Sequence, residues 1–345
     1  MDSNNQKKLI VSLVVYNGRA YLPFCLKALS EQTFKDFEIL TIDNASTDGS
    51  LEYIQEFFPW VKIIKSEKNL GFAKAHNQII SWTKGDYVLL LNQDVVLDKN
   101  FLQSTINYLE NNPLAGSVTG KILRWDSVNN DYTKIIDSLG LEIFKNHGVA
   151  DIYAGQEVTS DNSGEIKEVF GVSGAAPVYR RTALNFIQEP SSRGLKNFEY
   201  LDEDFFSYKE DVDLAYRLRL AGWSAFYLPS AIAYHQRGVK NEGKKTIKEL
   251  KEARIGRGQT INAYSYANHL AVIIKNEFLR NIFKDFFKII FYELKKLFYC
   301  LIFEPKTLRG VKLLKNNLSA YLAKRKYIKK NIRRVNAVIL RNWYK

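Results

Sequence analysis

Four apolar runs, at positions 9–16, 37–42, 61–65 and 87–91, constrain this chain more than any other feature. Each has the length and β-branched content of a strand buried on both faces. Between the first two, Leu22, Leu26 and Leu29 recur at helical spacing, and between the next two Leu51, Ile54 and Phe58 do the same. Strands alternating with helices build βαβ units, so an open, mostly parallel sheet with flanking helices is expected. Such a sheet binds its ligand beyond the carboxyl ends of its strands. The loops beginning at Tyr16, Asp43 and Asn92 are therefore the first places to look for a site.

Composition narrows the class further. The 345 residues are 46% hydrophobic and 25% charged, with only 7 prolines and 19 glycines, which excludes a disordered, collagen-like or disulfide-framework protein. The two cysteines, Cys25 and Cys300, stand far apart among apolar residues and offer no metal spacing. The length suits two domains, or one large domain with an appendage. Charge marks the division: residues 251–345 carry 22 lysines and arginines against 5 acids, a net of +17, whereas residues 1–250 carry 28 against 32, a net of −4. A nearly neutral body, 1–250, thus precedes a basic segment, 251–345, that meets something anionic. Lys7 and Lys8 before the first apolar run superficially resemble a signal peptide, but that run contains Ser12 and leads into Asn17-Gly18-Arg19, so it reads as a buried strand. No stretch reaches the roughly 20 uninterrupted apolar residues that cross a bilayer.

Several segments carry chemistry. The loop Asp43-Asn44-Ala45-Ser46-Thr47-Asp48-Gly49 reads either as a capped turn or as part of a ligand site. Asp43, at a strand's carboxyl end, can accept the ring N–H of a uracil or thymine, a contact cytosine cannot make. Asn92-Gln93-Asp94 emerges at the same edge, where one carboxylate can hold Mg²⁺ together with substrate phosphates and water. Ser173-Gly174-Ala175-Ala176 would let backbone approach a ligand, or simply pack tightly. From Glu203 to Asp213, five acids are interleaved with aromatics at the entrance to a helix that Gly222 ends. Asp211 or Asp213 could merely cap that helix; alternatively, one acid held ionised beside packed rings serves as general base. His235, closing the second of two short expected strands, is a core histidine or a metal ligand, and with no second histidine at i+4 and no nearby cysteine a zinc site is not expected.

In their order, these motifs resemble a glycosyltransferase family 2 enzyme of GT-A fold over roughly residues 8–240. The resemblance rests on Val14-Val15-Tyr16-Asn17, Gln32-Thr33, the 43–50 loop, Asn69-Leu70-Gly71-Phe72-Ala73 through Asn77, and Leu91-Asn92-Gln93-Asp94. Gly174-Ala175-Ala176, Tyr208-Lys209-Glu210-Asp211-Val212-Asp213-Leu214, Arg217 and Gly222-Trp223 complete it. It implies that Tyr16 and Asp43 bind the nucleobase, with Val15, Asn17, Asn77, Asn92 and Gln93 in the donor nucleotide site. It also implies that Asp94 holds a divalent Mg²⁺ or Mn²⁺, with His235 a further ligand, and that Asp211 is the base, with Glu210 its rival. Among family members the chain is most similar to bacterial rhamnosyltransferases that use dTDP-rhamnose. The implied reaction is an inverting transfer from a dTDP- or UDP-sugar to a glycan or lipid-linked saccharide in surface polysaccharide synthesis. The competing classes are a non-catalytic sugar-nucleotide binder and a nucleic-acid binder acting through the basic tail. The latter lacks any recognition motif, so no nucleic-acid partner is expected. A nucleotidyltransferase would need a glycine-rich loop after the first strand, where only Gly18 stands.

In the tail, Asn281, Lys284, Asp285, Lys288, Tyr292 and Lys295 form a polar stripe beside a face of Phe278, Ile282, Phe283, Phe286, Phe287, Ile290, Leu294, Leu297, Leu301 and Ile302. A basic, strongly amphipathic segment of this kind reads as a pair of interfacial helices on an anionic membrane surface. Packing of the same face on the body, or a homodimer formed through it, is the alternative. The expected location is the cytoplasm, peripherally on the inner face of the cell membrane.

Overall fold

The computed structural model describes residues 7–192, 194–236, 254 and 258–345, so the expected domain limit at 250/251 lies outside the described residues. The first half follows the βαβ alternation: β1 (Leu9–Val15), α1 (Leu22–Ser30), β2 (Phe37–Asp43), α2 (Ser50–Phe57), β3 (Lys62–Lys65), α3 (Phe72–Trp82) and β4 (Tyr87–Asn92). β1 pairs in parallel with β2 and β4, and β2 with β3. Strands β1 and β4 are almost wholly buried, as their unbroken apolar runs require. Each such valine, leucine or isoleucine contributes roughly 1.5–3 kcal/mol by leaving water.

The second half changes the pairing. After β5 (Val95–Leu97) and α4 (Phe101–Asn111) come the long β6 (Ala115–Asp126), β7 (Asp131–Ser138), β8 (Leu141–Ile143) and β9 (Val149–Asp151). The polar stretch 156–168 holds the one-turn α5 (Ser160–Ser163) and reaches β10 (Lys167–Val169). Then follow β11 (Val178–Arg180), α6 (Arg181–Phe186), β12 (Glu189–Ser191), β13 (Gly194–Glu199), α7 (Glu210–Ala221) and β14 (Ser224–Gln236). The sheet runs β10-β14-β6-β11-β4-β1-β2-β3, with β5 on β14 and β7 on β6. β14 pairs in parallel with β6, and β11 lies antiparallel between β4 and β6, so antiparallel strands join the expected open sheet with flanking helices. The two short strands expected before His235 are one strand, β14, with a register shift between Leu228 and Ile232. Gly222 does end α7, in the left-handed conformation (φ 89°) that glycine adopts without penalty.

The basic segment folds onto this body. Its helices are α8 (Gln259–Asn276), α9 (Leu279–Lys284), α10 (Phe286–Phe303), α11 (Arg309–Tyr327) and α12 (Ala337–Arg341). Ala271, Val272, Tyr321, Ile328, Ile332 and Leu340 belong to the same buried cluster as Phe205, Leu214 and Tyr216 of the body. The polar stripe of the tail divides. Asn281 turns inward to Glu277 and the Ala337 carbonyl, Asp285 pairs with Arg341, and Glu293 meets His269 at 2.8 Å, while Lys284, Lys288 and Lys295 stay outside. Outside with them are Phe283, Phe287, Phe291 and Phe298, each at least 66% exposed. No helix among the described residues is long and apolar enough to cross a membrane.

Candidate active site

A cavity of about 590 Å³ opens at the carboxyl ends of β1 and β4, where the alternation predicts it. Tyr16, Asn44, Asn69 and Gly71 line it together with Asn92, Gln93, Asp94, His235 and Gln236, and with Ser173–Ala175 and Phe206–Asp211. Asp151 and Ile261 close it.

On the nucleotide side, Tyr16 is 47% exposed, and its backbone is clamped on both sides by the Gln93 amide, at 2.9 and 3.0 Å. Gln93, expected to touch the donor, thus braces Tyr16, which lines the cavity beside it. Asp43 is fully buried; its Oδ2 accepts the Ser46 N–H at 3.3 Å, while Oδ1 has no partner. A buried carboxylate oxygen left without a donor costs roughly 1–3 kcal/mol or more, but Asp43, like Asn77, is not among the residues that line the cavity. Asn44, read from sequence as a turn former, instead bonds Asn69 and the Leu70 N–H, at 3.0 and 2.7 Å, and ties the two loops together.

Three expected donor contacts are taken up inside the protein. Val15 packs in the core, and its carbonyl accepts the Asn44 N–H at 2.7 Å. Asn17 exchanges hydrogen bonds with Ser46 and Thr47, at 3.0 and 2.9 Å, joining the loops after β1 and β2. Asn77 bonds both the carbonyl and the N–H of Leu201, at 2.8 and 2.9 Å, and does not line the cavity. For Asn17 and Asn77 the cause is shared, since an amide beside a bare backbone segment satisfies that backbone before it can reach a ligand, whereas Val15 is simply apolar core.

Asp94 Oδ1 lies 3.5 Å from His235 Nε2, and His235 Nδ1 lies 2.8 Å from Asp137 Oδ2. Burial disfavours the imidazolium, but the Asp94 carboxylate and the hydrogen bond with Asp137 outweigh it and raise His235 to about 9. One carboxylate and one imidazole backed by a second carboxylate form a donor set that fits a divalent cation. Sequence reasoning missed Asp137, because β7 meets β14 only through the fold, 98 residues apart. The group Glu189, Glu199 and Asp202, also close enough to hold a metal, is filled instead by the ammonium groups of Lys275 and Lys324.

Asp211 stands in the first turn of α7, its Oδ2 accepting the Gly174 N–H at 3.2 Å and its Oδ1 the Val212 N–H at 2.8 Å. Both carboxylate oxygens thus meet backbone N–H groups at the start of the helix. Glu210 differs: it is buried, its Oε2 lacks a partner, and burial, reinforced by the Asp211 charge, raises it to about 8. At neutral pH Glu210 holds its proton. The buried Tyr179 hydroxyl, absent from the sequence reading, is pushed well up by burial and then by the charges of Asp211 and Glu210.

The loop before Asp211 reaches α3 through Gly71, whose φ of 79° suits glycine and where a Cβ would lie 2.6 Å from the Phe206 carbonyl oxygen. This contact unites two segments of the sequence motif, Gly71-Phe72 and the acid-aromatic run, in one wall.

The family model for glycosyl transferase family 2 matches residues 10–185, just over half of the chain. The chain belongs to that family. One relative of this glycosyltransferase is the N-acetylglucosaminyl-diphospho-decaprenol L-rhamnosyltransferase of Mycobacterium tuberculosis, 28% identical over 247 residues, covering 66% of this chain and 76% of that one. Another is the glycosyltransferase GlyG of Streptococcus pneumoniae, 28% identical over 128 residues and covering 36% and 42%. Among solved structures, GalNAc-T7 with UDP, GalNAc and Mn²⁺ superposes with a TM-score of 0.58 at 14% identity, over 99% of this chain. The chain spans 59% of that protein. A mannosyltransferase of Pyrobaculum calidifontis with GDP-Man and Mn²⁺ gives 0.50 at 16% identity, over 95% of this chain and 86% of its own. These two likenesses establish the glycosyltransferase fold.

Proposed function

We propose that this glycosyltransferase moves a sugar, with inversion, from a nucleoside diphosphate to a saccharide acceptor at a membrane surface. The observation that carries the reading is that Asp211 and the Asp94–His235 pair line one cavity. Asp94 and His235, backed by Asp137, would hold Mn²⁺ or Mg²⁺, and the imidazole among the donors favours Mn²⁺. Such a cation neutralises charge on the diphosphate as it leaves.

The chain's own residues supply the rest. Tyr16 offers a ring for the base, and Asp43 Oδ1 accepts the ring N–H of a thymine or uracil. Asp211 accepts the acceptor hydroxyl's proton as that oxygen forms its bond to the anomeric carbon. The bond from the anomeric carbon to phosphate breaks, and the nucleoside diphosphate departs with the electron pair. Attack opposite the leaving group inverts the centre, and no covalent enzyme intermediate is required. Glu210, neutral at pH 7, leaves the site's charge on Asp211.

L-rhamnose from dTDP-rhamnose is the donor we favour, supported by the name of the mycobacterial relative and by the order of the motifs. A lipid-linked saccharide is the acceptor that fits the tail. The outward phenylalanines of α9 and α10, beside exposed Lys284, Lys288 and Lys295, make an apolar surface with cationic edges that suits anionic lipid. A homodimer through the same surface is the rival.

A thermal-shift series with thymidine, uridine, adenosine and guanosine diphosphates, with and without Mn²⁺ or Mg²⁺, tests the donor site. Thymidine or uridine diphosphate should stabilise most. Equal shifts from all four would remove Asp43 from its role, and binding without turnover on any saccharide acceptor would favour a non-catalytic binder.

A further inference from the structure

The acid-aromatic loop before α7 holds an unusual backbone. Phe206, Tyr208 and Lys209 all have positive φ, at 59°, 72° and 71°, and none is glycine. Side chains disfavour this region, so the loop keeps its shape only where its surroundings fix it. One fixing contact comes from α3, where the Phe72 N–H donates to the Phe206 carbonyl at 2.8 Å. The others come from the basic segment.

Asn268 of α8 is 1% exposed. Its amide nitrogen faces three carbonyls of the loop, those of Phe205 at 2.9 Å, Ser207 at 3.1 Å and Tyr208 at 2.8 Å. Two turns on, Lys275 reaches Asp213 at 3.0 Å and Asn276 donates to the same carboxylate at 2.8 Å. Asp213 lies in the first turn of α7, two residues after Asp211. One face of α8 therefore holds the loop on one side of Asp211 and the helix on the other. Lys275 is itself anchored on Glu189 and Asp202, at 2.6 and 2.5 Å, and Asp202 also binds Lys324 of α11 at 2.5 Å. Tyr264, one turn before Asn268, stacks on Phe206 with ring centroids 5.2 Å apart.

We propose that Asn268 is a positioning residue for the transfer reaction: by gathering the three loop carbonyls it holds the left-handed turn that aims Asp211 into the cavity. The inference rests on the function proposed above. It makes the basic segment part of the site rather than only its attachment. Asn268 touches neither substrate nor reacting atoms and acts through Asp211, so its loss should lower the rate of the chemical step and leave donor binding intact.

Asn268→Leu keeps the volume and removes the donor. Expected are a 10- to 100-fold fall in kcat, a donor KM and a nucleotide-induced thermal shift within twofold of wild type, and faster hydrogen exchange confined to residues 205–211. Lys209→Gly supplies a background in which one left-handed position is no longer strained; there the same Asn268→Leu change should cost several-fold less in kcat. Asn268→Ser, a smaller change that keeps one donor, should fall between wild type and N268L, and it serves as the test should N268L not fold. An unchanged kcat, an equal loss in both backgrounds, a rise in donor KM matching the fall in kcat, or unchanged exchange at 205–211 would each overturn the proposal. Absence of turnover in the wild-type chain with every sugar nucleotide would refute the transfer function itself, and with it this role, whatever the exchange data show.

Discussion

Asp211→Asn separates a base from a helix cap. The carboxylate accepts two backbone N–H groups, from Gly174 at 3.2 Å and Val212 at 2.8 Å, one on each oxygen. Asparagine keeps one acceptor oxygen, so one bond survives and the other is lost, a cost of about 1 kcal/mol. Because the N-cap is Lys209 and Asp211 lies within the first turn, asparagine also gives up a charge–dipole contribution of roughly 0.3–1 kcal/mol. Each kcal/mol of this loss lowers the melting temperature by about 2–4 °C in a domain of 150–250 residues, and leaves the protein folded at assay temperature. Loss of a general base is far larger: kcat should fall roughly 10²–10⁴-fold. That corresponds to about 2.7–5.4 kcal/mol in activation free energy.

The assay is release of nucleoside diphosphate at saturating donor and acceptor, with a single-turnover measurement to ensure that chemistry limits the rate. Glu210→Gln is measured beside it. Because Glu210 already holds its proton at neutral pH, its amide should cost less than tenfold. A D211N enzyme within fivefold of wild-type kcat would refute the assignment, and an E210Q loss exceeding that of D211N would transfer the role to Glu210.

Further outcomes follow from the same geometry. Asp43→Asn turns the unpartnered acceptor into an amide and should weaken thymidine or uridine diphosphate by roughly 10–150-fold, the worth of a charge-assisted hydrogen bond; an equal loss for adenosine diphosphate refutes the base contact. Asp94→Asn should abolish the Mn²⁺-dependent part of the nucleotide thermal shift, and a shift that still responds to Mn²⁺ as in wild type counts against a metal there. Phe287→Glu with Phe291→Glu should reduce sedimentation with anionic vesicles without changing melting temperature, because both rings are exposed; a variant that dissociates from dimer to monomer instead identifies a protein interface. Glu210 lends stability that is full below its ordinary 4.5 and lost as pH rises through about 8, since the folded state keeps a proton the unfolded chain releases. The melting temperature of E210Q should therefore fall less across that interval than wild type's, part of the slope remaining with Glu199, which shares the raised value of about 8. Parallel curves would count against a buried neutral Glu210.

The nucleotide half of the site was legible because it is local. Strand ends at Val15, Asp43 and Asn92 follow from apolar runs, and the residues just beyond them must emerge at one sheet edge. What was not legible is which of those polar groups the protein uses on itself. Asn17, Asn77 and Gln93 carry amides like any ligand-binding residue, and only the fold reveals that Thr47, Leu201 and the Tyr16 backbone reach them first. Asp137 behind His235 is another non-local fact, created by the pairing of β7 and β14 with β6.

The basic segment shows the limit most clearly. Its periodicity identified which side chains share a helix face, but periodicity carries no information about which face a neighbour will claim. A segment of net +17 reads as a surface seeking an external anion, yet the nearest anions are internal. Asp202 and Asp213 are buried in the body and need cations, and Lys275 and Lys324 supply them, with Glu189 and Glu199 accepting further bonds from the same ammonium groups. Removing one partner from such a cluster typically costs about 3–5 kcal/mol, so these lysines are fixed in place. Other cations stay exposed, and three of them, Lys284, Lys288 and Lys295, lie beside the outward phenylalanines. The same charge excess therefore serves two ends: its buried part fastens α8 to the helix of Asp211, and its exposed part borders the apolar face of α10. A truncation that removed this segment to abolish vesicle binding would also strip Lys275, Asn276 and Asn268 from the wall of the site. Point changes on the outer face of α10 are for that reason the sound test of membrane attachment, and loss of activity on truncation is expected even in an assay without lipid.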